Sequence, residues 1–300
     1  MINNVKMINR SIKNSNLSYI RNVHPCFANE AHGRLGRIHL PVSPICNIQC
    51  KFCKRSFNKT ENRPGVTSEI LSPECALDIL NKALGLCPEI TVVGVAGPGD
   101  PLATDHALQT FRLIDEEYPY LIKCLSTNGL NLYNKAEEII DIGIKTVTVT
   151  VNAIQPDILT KICSHAIVDG KLLRGVEGAK YLISSQIKGV KKVTDLGAIV
   201  KINTVIIPGI NDQHVEKISR TMAEAGASMM NIIPLIPQYE FSNHRKPNCE
   251  ELQQVRYDAE KYLEVFKHCK QCRADAVGIP GISEFRNMLY AGQQLAFSHG

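Results

Sequence analysis

Six apolar, largely β-branched runs punctuate the chain: RIHLPVSP from Arg37, EITVVGVAG from Glu89, LIKCLSTNG from Leu121, IKTVTVTVNA from Ile144, AIVKINTVII from Ala198 and ASMMNIIPLIP from Ala227. Each is apolar nearly throughout, as strands covered on both faces are. Between them lie stretches with a helical period: SPECALDILNKALGL, DHALQTFRLIDEEY, NKAEEIIDIG, LLRGVEGAKYLISSQI and NDQHVEKISRTMAEAG. Several open on Ser, Asp or Asn, the residues that cap helix N-termini. Strand followed by helix, repeated six times, predicts a parallel sheet with helices outside it, and one α/β barrel would use the whole length. A last helix is predicted over residues 248–268, followed by CKQCRADAVGIPGI, which breaks the pattern. The expected organisation is an arm over residues 1–37, a barrel over 38–247 and a helix with a Cys-rich cap over 248–300. The first twenty residues read either as unstructured or as a lid that orders over a ligand.

Composition narrows the chemistry. Of 300 residues, 44% are hydrophobic and 21% charged, which suits a globular protein with a sizeable core. A net charge of +5 is too mild to argue for a nucleic-acid groove, but it suits an anionic ligand. There is no secretory-type apolar run at the N-terminus and no stretch of membrane-spanning length, so a cytoplasmic protein that binds neither membrane nor nucleic acid is expected. Eleven cysteines, odd in number and partly clustered, point to metal or redox chemistry before disulfides. Cys75, Cys87, Cys163 and Cys249 fall singly on predicted helices or their ends and read as small buried hydrophobes. That leaves Cys26, Cys46, Cys50, Cys53, Cys124, Cys269 and Cys272.

Three of these sit together in CNIQCKFCKR, just after the first strand. A C-x3-C-x2-C triad can bind three irons of a four-iron cluster and leave the fourth open; a zinc site that borrows a distant ligand is the alternative. The other strand ends carry GPGD (residues 97–100), STNG (126–129), VNA (151–153) and KINT (201–204). In a parallel barrel such ends share one mouth with the triad. Gly97 and Gly99 would let backbone approach a ligand closely, and Ser126, Thr127 and Asn152 could hydrogen-bond a carboxylate or a ribose, although NG is also a plain turn signal. The CKQC pair, Cys269 and Cys272, is a metal or redox signal that spacing alone does not resolve.

The triad resembles the signature of the radical S-adenosylmethionine (SAM) superfamily. That resemblance implies a partial (β/α)6 TIM-type barrel, with an N-terminal arm and a C-terminal cluster-binding cap. It also implies a [4Fe-4S] cluster on Cys46, Cys50 and Cys53 whose open iron chelates SAM, so that reductive cleavage gives a carbon radical. Gly97, Gly99, Asp100, Ser126, Thr127, Asn152 and Ile154 would form the SAM-binding set. Longer motifs, HPCFANEAHGRLGRIHLPVSPICNIQCKFCKR, ENRPGVTS, GVAGPGDPL, CLSTNG, VTVTVNA, KINTVIIPGIND and CKQCRADAVG, resemble the NifB family of nitrogenase cofactor biosynthesis proteins across residues 24–280. The resemblance implies two auxiliary [4Fe-4S] clusters as substrate, fused with insertion of sulfide and of a carbide from a SAM methyl group. The product would be the eight-iron precursor of the nitrogenase cofactor.

Cys26, Cys124, Cys269 and Cys272 are the remaining candidate ligands, with His24, His32 and His39 nearby in sequence. The resemblance favours His39 as a nitrogen ligand, with His24 a weaker candidate. Family members usually carry a further cysteine before the ESRPG stretch; here KRSFNKTENRPG has none, and Glu61 is the residue that position offers instead. The chain also stops soon after RADAVG, without the carrier-like domain that many bacterial members append. The implied partners are a cluster donor, a reductant and a carrier or scaffold protein of nitrogenase assembly, with the enzyme itself a monomer. Two rivals stand beside this reading: a radical SAM enzyme with auxiliary clusters and an organic substrate, of the molybdopterin-biosynthesis type, and a non-catalytic iron–sulfur carrier. The first leaves the HPC arm without a role, and an electron carrier gains nothing from an open iron.

Overall fold

The computed structural model describes residues 17–27 and 31–290. The lid expected over the first twenty residues lies, for residues 1–16, outside the described residues. Thirteen strands follow one another: β1 Gly36–His39, β2 Ile48–Cys50, β3 Ser56–Phe57, β4 Val66–Thr67, β5 Ile90–Val95, β6 Ile122–Thr127, β7 Thr146–Thr150, β8 Cys163–Val168, β9 Lys171–Arg174, β10 Ile199–Ile206, β11 Met229–Pro234, β12 Glu264–Phe266 and β13 Val277–Gly278. The main sheet runs β12-β11-β10-β7-β6-β5-β1-β13. The six expected strands are its parallel centre, β1, β5, β6, β7, β10 and β11. β12 adds a seventh parallel strand and β13 closes the other edge antiparallel to β1, giving an open, partial barrel.

Helices cover its outside for the reason their sequences suggest. In the helix Pro73–Leu86, Ser72 Oγ accepts from Cys75 N at 3.2 Å, proline starts the first turn, and Pro73, Ala76, Ile79, Leu80 and Ala83 form the buried stripe. The helix Cys249–Glu260 opens on a capping box between Asn248 and Glu251.

Three expectations change. The predicted helix over 248–268 ends at Glu260, because Val265 and Phe266 are drawn into the core as β12. The helix predicted from Leu172 starts instead at Gly175 and runs to Asp195, while residues 163–174 form the β8–β9 hairpin. Its turn is Asp169-Gly170 with both φ angles positive, the conformation that Asp-Gly favours. Of the four cysteines read as buried hydrophobes, only Cys87 is buried; Cys75 and Cys249 are exposed and Cys163 is half-buried on β8.

The hairpin carries Cys163 to the triad. β2 pairs with β8 in antiparallel register, Cys50 opposite Cys163, and Lys51 N donates to Ile162 O at 2.8 Å. That pattern makes Cys50 and Cys163 a non-hydrogen-bonded pair, whose side chains are the closer kind across a ladder.

Candidate functional site

The triad loop leaves β1 and is gripped by the GPGD segment. Gly99 N donates to Ser43 O at 2.8 Å and Asp100 N to Ile45 O at 2.8 Å. A Cβ on Gly99 would stand 2.0 Å from Ile45 O, so glycine here lets protein backbone pass, and its amide is not left for a ligand as the sequence reading had it. Asp100 then ties this loop to STNG: its carboxylate accepts from Leu102 N, Thr127 Oγ1 and Asn128 N. Burial pushes the Asp100 carboxyl up against the pull of those donors.

Within the triad, Gln49 Nε2 donates to Cys50 O at 2.9 Å and to Cys53 O at 3.1 Å, fixing the turn between these two cysteines. Asn128 Nδ2 donates to Cys46 Sγ at 3.6 Å and to Asn47 Oδ1 at 2.7 Å. Burial, then the charge of Asp100, lifts the Cys46 thiol to about 12. Cys50 is pushed well up, first by its hydrogen bond with Cys163 and then by burial, and burial raises Cys53. These are therefore neutral thiols until a metal displaces their protons. Three soft donors on one short loop, one already receiving an N–H, fit a thiolate-bound cluster.

The loop opens on a cavity of about 340 Å³, and a second group of ligating side chains lines the same space: His24, Cys26, His32, His39, Cys124, His268, Cys269 and Cys272. The arm reaches it over a helical segment, residues 17–23, seated by Ile20 and Phe27 on Val92, Ile122, Ile199, Met229 and Phe266. Thr91 Oγ1 holds Val23 O at 2.6 Å and Lys201 Nζ holds Cys26 O at 2.8 Å. The cap arrives through β13, where Arg37 donates to Gly278 O at 2.7 Å and to Cys272 Sγ at 3.3 Å. Arg273 and Asp275, both fully buried, form an ion pair at 2.7 Å; Arg273 also reaches Asn58 O at 2.7 Å.

His24, which is buried, and His39, which is half-buried, are not equivalent. His39 Nδ1 meets Arg273 O at 3.0 Å; a carbonyl only accepts, so Nδ1 carries the proton and Nε2 keeps its lone pair. Burial, and then Arg37, lowers its protonation to about 4. This is the tautomer of a metal-bound imidazole. His24 is the reverse: its Nδ1 accepts from Cys26 N at 3.1 Å, so the neutral ring bears its hydrogen on Nε2, which has no partner among the described residues. Burial, with Lys201 and His39 adding to it, holds His24 neutral.

Strand register gathers the rest. His39 on β1, Gly94 on β5 and Cys124 on β6 lie side by side across three strands. A Cβ on Gly94 would meet His39 Cδ2 at 3.3 Å and Cys124 Cβ at 3.8 Å, so the missing side chain is the gap between the two ligand candidates. Burial pushes the Cys26 thiol up to about 12 and raises Cys124.

Of the expected site residues, the triad, Gly99, Asp100, Ser126, Thr127, Cys26, His24, His39, Cys124, Cys269 and Cys272 all line the cavity. Gly97, Asn152, Ile154 and Glu61 do not. Asn152 Oδ1 accepts from Val205 N at 2.9 Å and Ile154 N donates to His214 Nε2 at 3.1 Å, both outside it. The Glu61 carboxylate is taken by Asn58 and Arg63. KINT is not at a strand end, since β10 runs on to Ile206; Lys201 and Asn203 line the interior, at mid-depth. The sequence reading missed Asn128, inside the quoted STNG, and Gln186, which clamps Asn128 O at 2.8 Å and Thr150 O at 3.0 Å from a helix where nothing marks it.

A partial parallel barrel with three cysteines at its mouth defines the radical SAM class, and residues 40–222 match the family model described as the Radical SAM superfamily. A radical SAM methyltransferase from Sphaerobacter thermophilus shares the fold, with a TM-score of 0.55 at 17% identity over 77% of this chain and 65% of that one. The FeMo cofactor biosynthesis protein NifB of Methanocaldococcus infernus is 51% identical over 269 residues, 89% of each chain. That of Azotobacter vinelandii is 40% identical over 266 residues, 86% of this chain and 53% of that protein. The chain belongs to the NifB family of the radical SAM superfamily. Among the described residues no helix is long and apolar enough to cross a membrane.

Proposed function

We propose that this protein is a radical SAM methyltransferase and carbide-inserting synthase. Its substrate is a pair of auxiliary [4Fe-4S] clusters, which it fuses, with added sulfide, into the eight-iron precursor of the nitrogenase cofactor. The observation that carries this reading is the His39–Gly94–Cys124 row: a nitrogen in ligand tautomer and a thiol, separated by the space of an absent side chain, facing the same cavity as the triad. An organic substrate would need no such row.

Cys46, Cys50 and Cys53 hold the SAM-binding cluster, which with SAM supplies a methyl donor and a carbon radical when bound. Asp100 keeps the STNG segment against that loop, and Ser126 and Thr127 face the space beside it. Cys26, His39 and Cys124 hold one auxiliary cluster and Cys269 with Cys272 the other. Sparse ligation, part of it by an imidazole, suits a substrate that must be joined and released. The fused product passes to a carrier or scaffold protein of nitrogenase assembly.

The test is iron and acid-labile sulfide per chain after anaerobic reconstitution. About twelve irons in the wild type, falling substantially in Cys269→Ala/Cys272→Ala, are expected for three four-iron clusters. With SAM labelled at its methyl carbon, the label should appear in the extracted metal cluster. About four irons in both proteins, or a label found only in small organic products, would sink the cluster-fusion reading.

A further inference from the structure

Lys201 lies inside the barrel, 6% exposed, at the cavity wall. Its Nζ donates to Cys26 O at 2.8 Å and lies over the rings of Phe27 and Phe266, 4.4 Å and 5.5 Å from their centroids. No carboxylate pairs with it among the described residues. The other buried cations among the described residues are compensated: Arg273 has Asp275, Lys123 has Asp115, Arg63 has Glu61, and Arg37 has Glu284 at 3.9 Å. A buried ammonium without a counter-ion is costly, and a carbonyl with two ring faces offsets only part of that cost. The charge bears on Cys26, Cys124, His24 and His39 alike.

The function proposed above supplies a counter-charge in the reduced state of the bound cluster. Two thiolates, a neutral imidazole and a doubly positive four-iron core sum to zero, and one added electron makes the assembly anionic. A fixed positive charge beside it stabilises the reduced state over the oxidised one. We propose that Lys201 is a positioning residue whose ammonium is the counter-charge for the cluster substrate held by Cys26, His39 and Cys124, favouring its reduced, anionic state. The ammonium also pins Cys26 O, so the same side chain sets the arm's thiol in place and tunes what that thiol holds. This inference rests on the cluster-substrate reading and on no step of the reaction.

The experiment uses the full chain with Cys46, Cys50, Cys53, Cys269 and Cys272 replaced by Ala, so that one cluster of about four irons remains. Its reduction is followed by paramagnetic resonance in a redox titration. Lys201→Met should make reduction harder at least tenfold in equilibrium constant, about 59 mV for a one-electron couple. Lys201→Arg should return it to within threefold of the parent. An unchanged potential in Lys201→Met with full iron overturns the proposal. Iron lost in Lys201→Met and kept in Lys201→Arg supports it, because the charge is then what holds the cluster. Iron lost in both overturns it in favour of packing alone. A parent that takes up no iron while Lys201 is intact removes the auxiliary site itself, and this proposal with it; an intact parent with a silent Lys201→Met removes only the proposal.

Discussion

Two glycines that line one cavity, one on β5 and one in the loop that follows it, do opposite things. Gly99 is small so that protein can pass: Ile45 O occupies the place of its side chain and the triad loop closes against it. Gly94 is small so that protein stays away: between His39 and Cys124 nothing enters the space a side chain would fill. The triad side is local, three thiols within eight residues steadied by Gln49 and Asn128. The arm side is assembled from His24, Cys26, His32, Arg37, His39, Gly94, Cys124, Lys201 and residues 269–272, which meet only in the finished fold. One side is a preformed clamp, the other an enclosure shaped around what it receives.

Substitutions can break the two sides separately. Gly99→Ala should have the largest effect: the 2.0 Å approach forces the loop off GPGD, and the triad's share of the iron, about four per chain, should disappear on reconstitution. Arg273→Met should follow. It leaves Asp275 buried without its partner and frees Asn58 O, so a loss of about 3–5 kcal/mol is expected from urea denaturation of the cluster-free protein. Gly94→Ala should spare the fold, since its new contacts begin at 3.3 Å, yet lower auxiliary iron while leaving the triad's iron in place.

Acidity provides a subtler probe of the arm side. His39 and His24 resist protonation in the fold, His39 down to about 4, whereas an unfolded histidine takes its proton near 6.5. The unfolded chain therefore binds more protons as pH falls from about 6.5 toward 4, and stability present above that window is lost through it. The urea midpoint of the cluster-free protein should fall between pH 7 and pH 5, less steeply in His39→Gln. Smallest is Cys163→Ser, expected to leave the triad's iron unchanged. It should, however, abolish a Cys50–Cys163 cross-link formed when the cluster-free protein meets diamide, read by peptide mass.

The six central strands were legible because strands buried on both faces are apolar along most of their length. β12 was not: three residues, Glu264–Phe266, sit where a helical period also runs, and burial against β11 decided the matter. The β8–β9 hairpin did have a signal, the Asp-Gly straight after Ile167 and Val168, which the helix-like LLRGVEGAK masked. At the site, residue type and spacing were enough to find the triad and Cys26, Cys124, Cys269 and Cys272, but not Cys163 beside Cys50. They could not reveal that Gly99 serves Ile45, that His39 and His24 are opposite tautomers, or that Lys201 meets a carbonyl and, among the described residues, no carboxylate, because each depends on what the third dimension sets beside it.

The closure of the main sheet by β13 against β1 also fixes an order of events in the cell. Arg37 and His39 leave the ribosome early, but the groups that hold them, Gly278 O and Arg273 O, emerge more than two hundred residues later. At about 5–20 residues per second, the wall between them stays open for at least ten seconds of synthesis. The triad loop, its Gln49 clamp and the GPGD strap are by then already outside and able to pair. The arm-side enclosure is thus complete only once Arg273 has emerged, and a nascent chain stalled before it leaves Cys26 and Cys124 uncovered by the cap.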